Sequence, residues 1–284
     1  MTQLPSWIDR LLGSPVSAWT HPLPERATQV DVLGAITQRW KRYQASEIDL
    51  TLSPEDDMVA SAEAADIEHY RRTGLSALEL IVDAMMLARK LDFPHILDLP
   101  CGGGRVTRHL VKFFPDAEIA VSDIERKKQT FVASHFGLAS LDVPADFSAR
   151  ETGRFDLIFV GSLLTHLNET MFRAATDFFI DALAPGGVLV ATTHGRYSAT
   201  AIPASRRHIA RDPIARTVAG PYTRRGFGFR LQERRRYGVN YGTSFSRPSW
   251  VARLIEARSD AALLAYKERA WDNHQDALIV QKLP

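Results

Sequence analysis

The chain has 284 residues, of which 45% are hydrophobic and 24% charged, a composition that excludes extensive disorder and supplies enough apolar material for a substantial core. Its single cysteine, Cys101, excludes an intramolecular disulfide and a multi-cysteine zinc site. The net charge is only +2, no basic and apolar leader opens the chain, and no apolar run is long enough to cross a bilayer, so a cytoplasmic protein is expected.

In chain order, residues 1–53 mix Trp7, Trp19 and Trp40 with Pro5, Pro15, Pro22 and Pro24 and predict an irregular cap with short helices. Helical patterning begins after Pro54. Ala65 to Arg72 forms one predicted helix ending at Gly74, and Ser76 to Leu91 a second, with Ala77, Leu80, Ile81, Ala84, Met85 and Ala88 on one stripe that should pack on a sheet. Short apolar runs then alternate with amphipathic stretches, the pattern of a parallel sheet covered on both faces. Strands are expected at His95–Leu99, Glu118–Ser122, Ala139–Val143, Phe155–Val160 and Gly187–Thr193, and helices near Arg105–Phe114, Glu125–His135 and Glu169–Leu183, the last ending at the turn Ala184-Pro185-Gly186-Gly187. Regular alternation stops after Thr193 for about fifty residues, too long for a plain connection, and reads as a lid insertion over 195–247. A helix from Ser246-Arg247-Pro248-Ser249 through Ala257 and two strands, Ala261–Tyr266 and Ala277–Lys282, complete the chain. The expected division is a helical cap with lead-in helices over 1–94 and an α/β domain over 95–284.

Ile96-Leu97-Asp98-Leu99-Pro100-Cys101-Gly102-Gly103-Gly104-Arg105 is an apolar strand containing an acid, then a glycine-rich turn and a helix. Glycines there allow a ligand to approach the backbone, although a tight turn alone would also use them. A dinucleotide fingerprint counted from Gly102 and Gly104 would need a third glycine where Thr107 stands, and a P-loop would need Gly-Lys-Ser/Thr where Arg105-Val106-Thr107 stands. NAD and nucleoside triphosphates therefore fit poorly.

The stretch resembles the first motif of the class I S-adenosylmethionine (SAM) dependent methyltransferases, with Asp98, Pro100, Cys101, Gly102 and Gly104 in its positions and Pro100 departing from the more usual glycine. Val121-Ser122-Asp123 ends the second strand with an acid, as the family does where it holds the ribose hydroxyls of SAM. Arg154-Phe155-Asp156-Leu157-Ile158-Phe159-Val160-Gly161-Ser162 is similar to the family's fourth strand, and Ala184-Pro185-Gly186-Gly187 to the turn before its fifth. The resemblance covers about His95 to Gly195. It implies a Rossmann-like, seven-stranded, mostly parallel sheet with helices on both faces, SAM as cofactor, and Ile124 and Ser162 beside it. Tyr70 would either close over the methionine end or pack with its hydroxyl wet; Asp142 and Asp146 would either meet the adenine amino group or serve a turn.

Methyl transfer from a sulfonium needs alignment and a dry pocket, and a hydroxyl acceptor also needs a base. His166 and His194 follow the fourth and fifth strands, at the end that faces the crevice, with His194 at the mouth of the insertion; packing or capping is the alternative for each. His274 reads as a turn residue. No Asp/Asn-Pro-Pro-aromatic motif or cysteine follows the fourth strand, which disfavours adenine amine and pyrimidine C5 methylation, and no metal site is expected. Arginines 196, 206, 207, 211, 216, 224, 225, 230, 234, 235 and 236 would rim the acceptor pocket or form a solvated face. The expectation is O-methylation of a small hydroxylated metabolite or glycan, with an anionic acceptor suited to the arginines. Alternatives are an RNA methyltransferase that tracks phosphates with them, and a SAM-binding protein without catalysis.

Overall fold

The computed structural model describes residues 27–148, 152–205, 213–231 and 240–283. Helix α1 spans Gln29–Gln44 behind a capping box, in which Thr28 Oγ1 accepts the Asp31 N–H at 3.2 Å and the Asp31 carboxylate accepts the Thr28 N–H at 3.1 Å. Helix α2 is a single element, Ala64–Ala88, so Gly74 does not end a helix. Its role is close approach: a Cβ there would run into the Arg105 carbonyl oxygen and the His109 ring. The expected stripe of Ala77, Leu80, Ile81, Ala84, Met85 and Ala88 is buried throughout, in the core that also holds Ile96, Leu157 and Val190 of the sheet.

Strands β1 (His95–Asp98), β2 (Glu118–Val121), β3 (Ala139–Ser140), β4 (Phe155–Val160), β5 (Leu183–Thr193), β8 (Ala261–Trp271) and β9 (Gln275–Lys282) form a seven-stranded sheet in the order β3-β2-β1-β4-β5-β9-β8. The first five are parallel, and β9 is antiparallel to both β5 and β8. The intervening helices are α3 (Thr107–Phe113), α4 (Arg126–Phe136) and α5 (Glu169–Ala182). The third strand keeps only two residues of its expected five, its register being Ala120 to Ala139 and Val121 to Ser140 at the sheet edge. Strand β5 begins at Leu183, ahead of the expected start at Gly187: the Pro-Gly-Gly turn lies inside the strand, with a register shift opposite Phe155–Leu157 and Gly186 at φ +76°.

The insertion is ordered where it is described, contrary to the expected loss of regularity. It contains α6 (Arg196–Ser205), α7 (Pro213–Arg225) and an antiparallel pair, β6 (Phe227–Leu231) and β7 (Gly242–Ser246), before α8 (Pro248–Glu256). Strand β7 is rich in small polar residues, yet it is buried because its hydroxyls are bonded: Ser244 donates to the Leu164 carbonyl at 2.7 Å, and the Ser246 and Thr193 hydroxyls meet at 2.7 Å. Backbone bonds from Gly242 N–H to His166 O (2.7 Å) and Ser244 N–H to Thr165 O (2.8 Å) lay β7 along the segment that follows β4. No helix among the described residues is long and apolar enough to cross a membrane.

Candidate functional site

Two adjoining cavities open at the carboxyl ends of β1, β2 and β4, where a parallel sheet presents its crevice. The larger holds about 530 Å³ and is walled by Pro100 to Gly103, Arg105, Asp123 to Glu125, Lys128, Gly161 to Leu163, His166, Tyr241 and Trp271, with Asp57 and Met58 reaching in from the segment before α2. The smaller holds about 100 Å³ and is mainly apolar, with Val143, Pro144, Phe147 and Met171 in its wall. Pro100, Asp123, Ile124, Leu163 and Tyr241 border both.

The glycine turn is shaped by backbone conformation. Gly102 (φ +52°) and Gly104 (φ +85°) lie in the left-handed region, and the Leu99–Pro100 peptide is cis. Open space surrounds the place a Gly102 side chain would fill, whereas Gly104 faces Val132 and Phe136 beneath the loop and does not line the cavity. Asp123 Oδ2 accepts the Gly102 N–H at 2.8 Å and Oδ1 the Glu125 N–H at 2.7 Å, so this carboxylate organises both loops while it borders the cavities. Burial raises its pKa, opposed by those two backbone donors.

Asp98 supports the turn from below. It is buried and accepts the Thr107 hydroxyl at 2.6 Å through Oδ2, while Oδ1 is buried without a partner. Desolvation raises its pKa to about 7, against the Thr107 hydrogen bond. It lines neither cavity.

Tyr70 is also a supporting residue. Its hydroxyl is buried, donating to Asp56 Oδ2 at 2.8 Å with the Gly103 carbonyl at 3.3 Å, so it neither closes over the cavity nor has the wet hydroxyl of the packing alternative. Arg108 donates to Gly103 O (3.2 Å), Gly104 O (2.9 Å) and Thr51 O (3.3 Å). With Lys127–Glu55 (2.9 Å) and Lys128–Asp57 (2.6 Å), these bonds strap residues 51–58 across the glycine turn.

Asp142 is exposed and pairs with Arg126, lining neither cavity; the Asp146 carboxylate accepts the Ser148 N–H at 3.1 Å in a local turn. Ile124 borders both cavities with its side chain 58% exposed. Ser162 sits in the cavity wall at φ +60°, held by its N–H to Thr192 Oγ1 (2.8 Å), by Thr165 Oγ1 donating to its carbonyl (2.5 Å), and by Gln275 Nε2 donating to its hydroxyl (2.7 Å).

The two histidines separate. His194 is buried at the root of the insertion, with Nδ1 3.2 Å from the Ser244 carbonyl; desolvation lowers its pKa to about 3, and it lines neither cavity. At the mouth of the insertion β7 covers it, the Phe245 ring lying 5.5 Å from its own. His166 lines the large cavity and stacks on Tyr241, with ring centroids 4.7 Å apart. Its Nδ1 lies 2.7 Å from the Gly242 carbonyl, an atom that can only accept, so Nδ1 carries the proton and Nε2 keeps its lone pair. Desolvation lowers its pKa below the usual histidine value.

Among the described arginines of the insertion, none lines either cavity: Arg196 pairs with Glu268, and Arg224 and Arg225 are exposed. Arginines 206, 207, 211, 234, 235 and 236, and the side chain of Arg216, lie outside the described residues. Two cations in the wall of the large cavity were missed by sequence reasoning, Lys128, which is paired with Asp57 and Glu125, and Arg105, which stands directly after the glycines; Trp271, Met58 and Gln275 were missed too, because their neighbours are remote in sequence.

Residues 96–187 match the family model of a methyltransferase domain. Over this stretch the chain is similar to a methyltransferase domain. No curated protein sequence matches the chain. The domain's fold is similar to that of solved structures at low identity. A protein from Pyrococcus horikoshii is 14% identical with a TM-score of 0.54, over 81% of this chain and 96% of that one. A SAM-dependent methyltransferase from Clostridium acetobutylicum is 13% identical with a TM-score of 0.51, over 76% and 92%. The 1,6-didemethyltoxoflavin N1-methyltransferase of Burkholderia thailandensis, solved with 1,6-didemethyltoxoflavin and S-adenosylhomocysteine, is 13% identical with a TM-score of 0.50, over 84% and 95%.

Proposed function

We propose that this methyltransferase methylates a hydroxyl group of a small acceptor bound in the large cavity, with His166 as general base. The observation that carries the reading is the His166 tautomer: an imidazole with its lone pair on Nε2, neutral at physiological pH, in the same cavity as the glycine turn. The chain's residues suit the cofactor. Backbone at Cys101 to Gly103 offers close approach to its amino-acid end, Asp123 an acceptor for ribose hydroxyls, and the small cavity with Ile124 and Val143 an apolar slot for the base. SAM supplies a methyl group made electrophilic by its sulfonium.

Loss of charge at sulfur as the new bond forms favours a dry, aligning site, and Phe159, Leu163, Tyr241 and Trp271 provide apolar wall for it. The Gly242 carbonyl fixes the His166 ring, and accepting the acceptor's proton at Nε2 turns the ring into an imidazolium that this carbonyl stabilises. The test is a radiolabelled methyl-transfer screen over hydroxylated metabolites, glycans and RNA. With the acceptor it identifies, His166→Ala should lower turnover by about 100-fold or more while S-adenosylhomocysteine affinity stays within about twofold. Full activity in that variant would remove His166 as base.

A further inference from the structure

We propose that Arg105 is the carboxylate-receiving residue of the large cavity, presented to its ligand on the indole of Trp271. Arg105 borders the cavity with its Cζ 5.2 Å from the Trp271 ring centroid. The indole is itself fixed: Nε1 donates to the Thr73 carbonyl at 2.9 Å, and its ring packs edge-on against Phe159 with centroids 5.9 Å apart. The indole face attracts the cation and holds it in the cavity wall, where a guanidinium can donate two parallel hydrogen bonds to a planar carboxylate.

No hydrogen bond or ion pair from any other described residue reaches that guanidinium, although three carboxylates lie near enough to favour its charge. Each of the three is engaged elsewhere: Asp56 by the Tyr70 hydroxyl, Asp98 by Thr107, and Asp272 by His69 at 3.6 Å and His274 at 3.7 Å. Burial lowers the Arg105 pKa, so the site holds a partly buried cation with no direct counter-ion among the described residues. A lysine would carry the charge but would lack both the stacked plane and the two-pronged donor edge.

The inference deepens the reading of this cavity as a methyl-transfer site, and two ligands could bring the carboxylate: the amino-acid end of the donor, or an acidic acceptor. Calorimetry on the full chain separates them, with S-adenosylhomocysteine compared against 5′-methylthioadenosine, which lacks that carboxylate, for wild type, Arg105→Lys and Arg105→Met. A loss of about 10- to 100-fold in S-adenosylhomocysteine affinity in Arg105→Met, with partial recovery in Arg105→Lys and unchanged 5′-methylthioadenosine binding, assigns the carboxylate to the donor. The unchanged nucleoside binding also shows the variant to be folded. In the second arm, 4-hydroxybenzoate and its methyl ester are titrated into protein loaded with S-adenosylhomocysteine. A wild-type preference for the acid that Arg105→Met abolishes, at unchanged S-adenosylhomocysteine affinity, assigns the carboxylate to the acceptor. Wild-type binding that Arg105→Met alters in neither arm overturns the proposal. Failure of the wild type to bind either nucleoside overturns the methyl-donor reading itself, and the Arg105 assignment with it.

Discussion

Two glycines in helices should respond to alanine with opposite signs. Gly34 in α1 has nothing within 4 Å of the place a Cβ would occupy, so Gly34→Ala should stabilise the protein by up to about 1 kcal/mol, the usual helix-interior difference. At Gly74 the same methyl would stand 2.5 Å from two atoms of the His109 ring and closer still to the Arg105 carbonyl oxygen, about 1 Å short of the 3.4 Å at which ordinary contact begins. Neither neighbour is the loose end of a side chain. The Arg105 atom is backbone, and the buried His109 ring is tied by its Nδ1 to the Tyr43 hydroxyl at 2.7 Å. Overpacking this close costs about 2–3 kcal/mol, the upper part of the usual range, of which helix propensity offsets about 1 kcal/mol, leaving a net loss of about 1–2 kcal/mol. For a chain of this size that corresponds to a fall in Tm of roughly 2–8 °C. Urea unfolding of both variants beside wild type measures the pair. A Gly74→Ala protein as stable as Gly34→Ala would refute the claim that α2 and the start of α3 are packed backbone against side chain.

Asp123→Ala removes the acceptor for the Gly102 and Glu125 N–H groups, so it should weaken S-adenosylhomocysteine binding by about tenfold or more and cost about 1 kcal/mol of stability; unchanged affinity in calorimetry would remove the ribose assignment. Burial raises the Asp98 pKa from the ordinary carboxyl value of 3.8 to about 7, so between these values the folded state binds more protons than the unfolded one, and stability falls as pH rises through that window. Fully expressed, a difference of roughly 3 pH units is an upper bound of about 4 kcal/mol, and Asp98→Asn should flatten this part of the urea-denaturation profile; an unchanged slope would contradict the burial of an ionisable carboxyl there.

Much of the frame was legible because its cues are local. Phe155–Val160 is bounded as expected, since an apolar run between polar stretches says strand at short range. The glycine turn and Asp123 were legible for the same reason, and the two come together as a bond from Gly102 to the carboxylate. Longer-range effects were hidden. Gly74 looks like a helix stop until α3 is placed beside it, and β7 reads as irregular because Gly242-Thr243-Ser244-Phe245-Ser246 is polar, its burial resting on hydroxyl bonds to Leu164 and Thr193. The two histidines differ in role for a related reason, since both follow strands but β7 covers His194 and leaves His166 in the cavity wall. Arg105 was passed over within the motif itself, because its significance depends on Trp271, 166 positions further along the chain.

The place of β9 in the sheet bears on how the molecule assembles during synthesis. This strand follows every other described strand in the chain, yet it lies between β5 and β8, with Val190 opposite Ile279 on one side and Leu263 opposite Val280 on the other. A nascent chain that has emerged only through β8 therefore has a central gap in its sheet, with the long edge of β5 open to the solvent and to other nascent chains. Because β9 is the strand partner of both β5 and β8, truncations that remove it should leave an aggregating protein and not merely a shortened one.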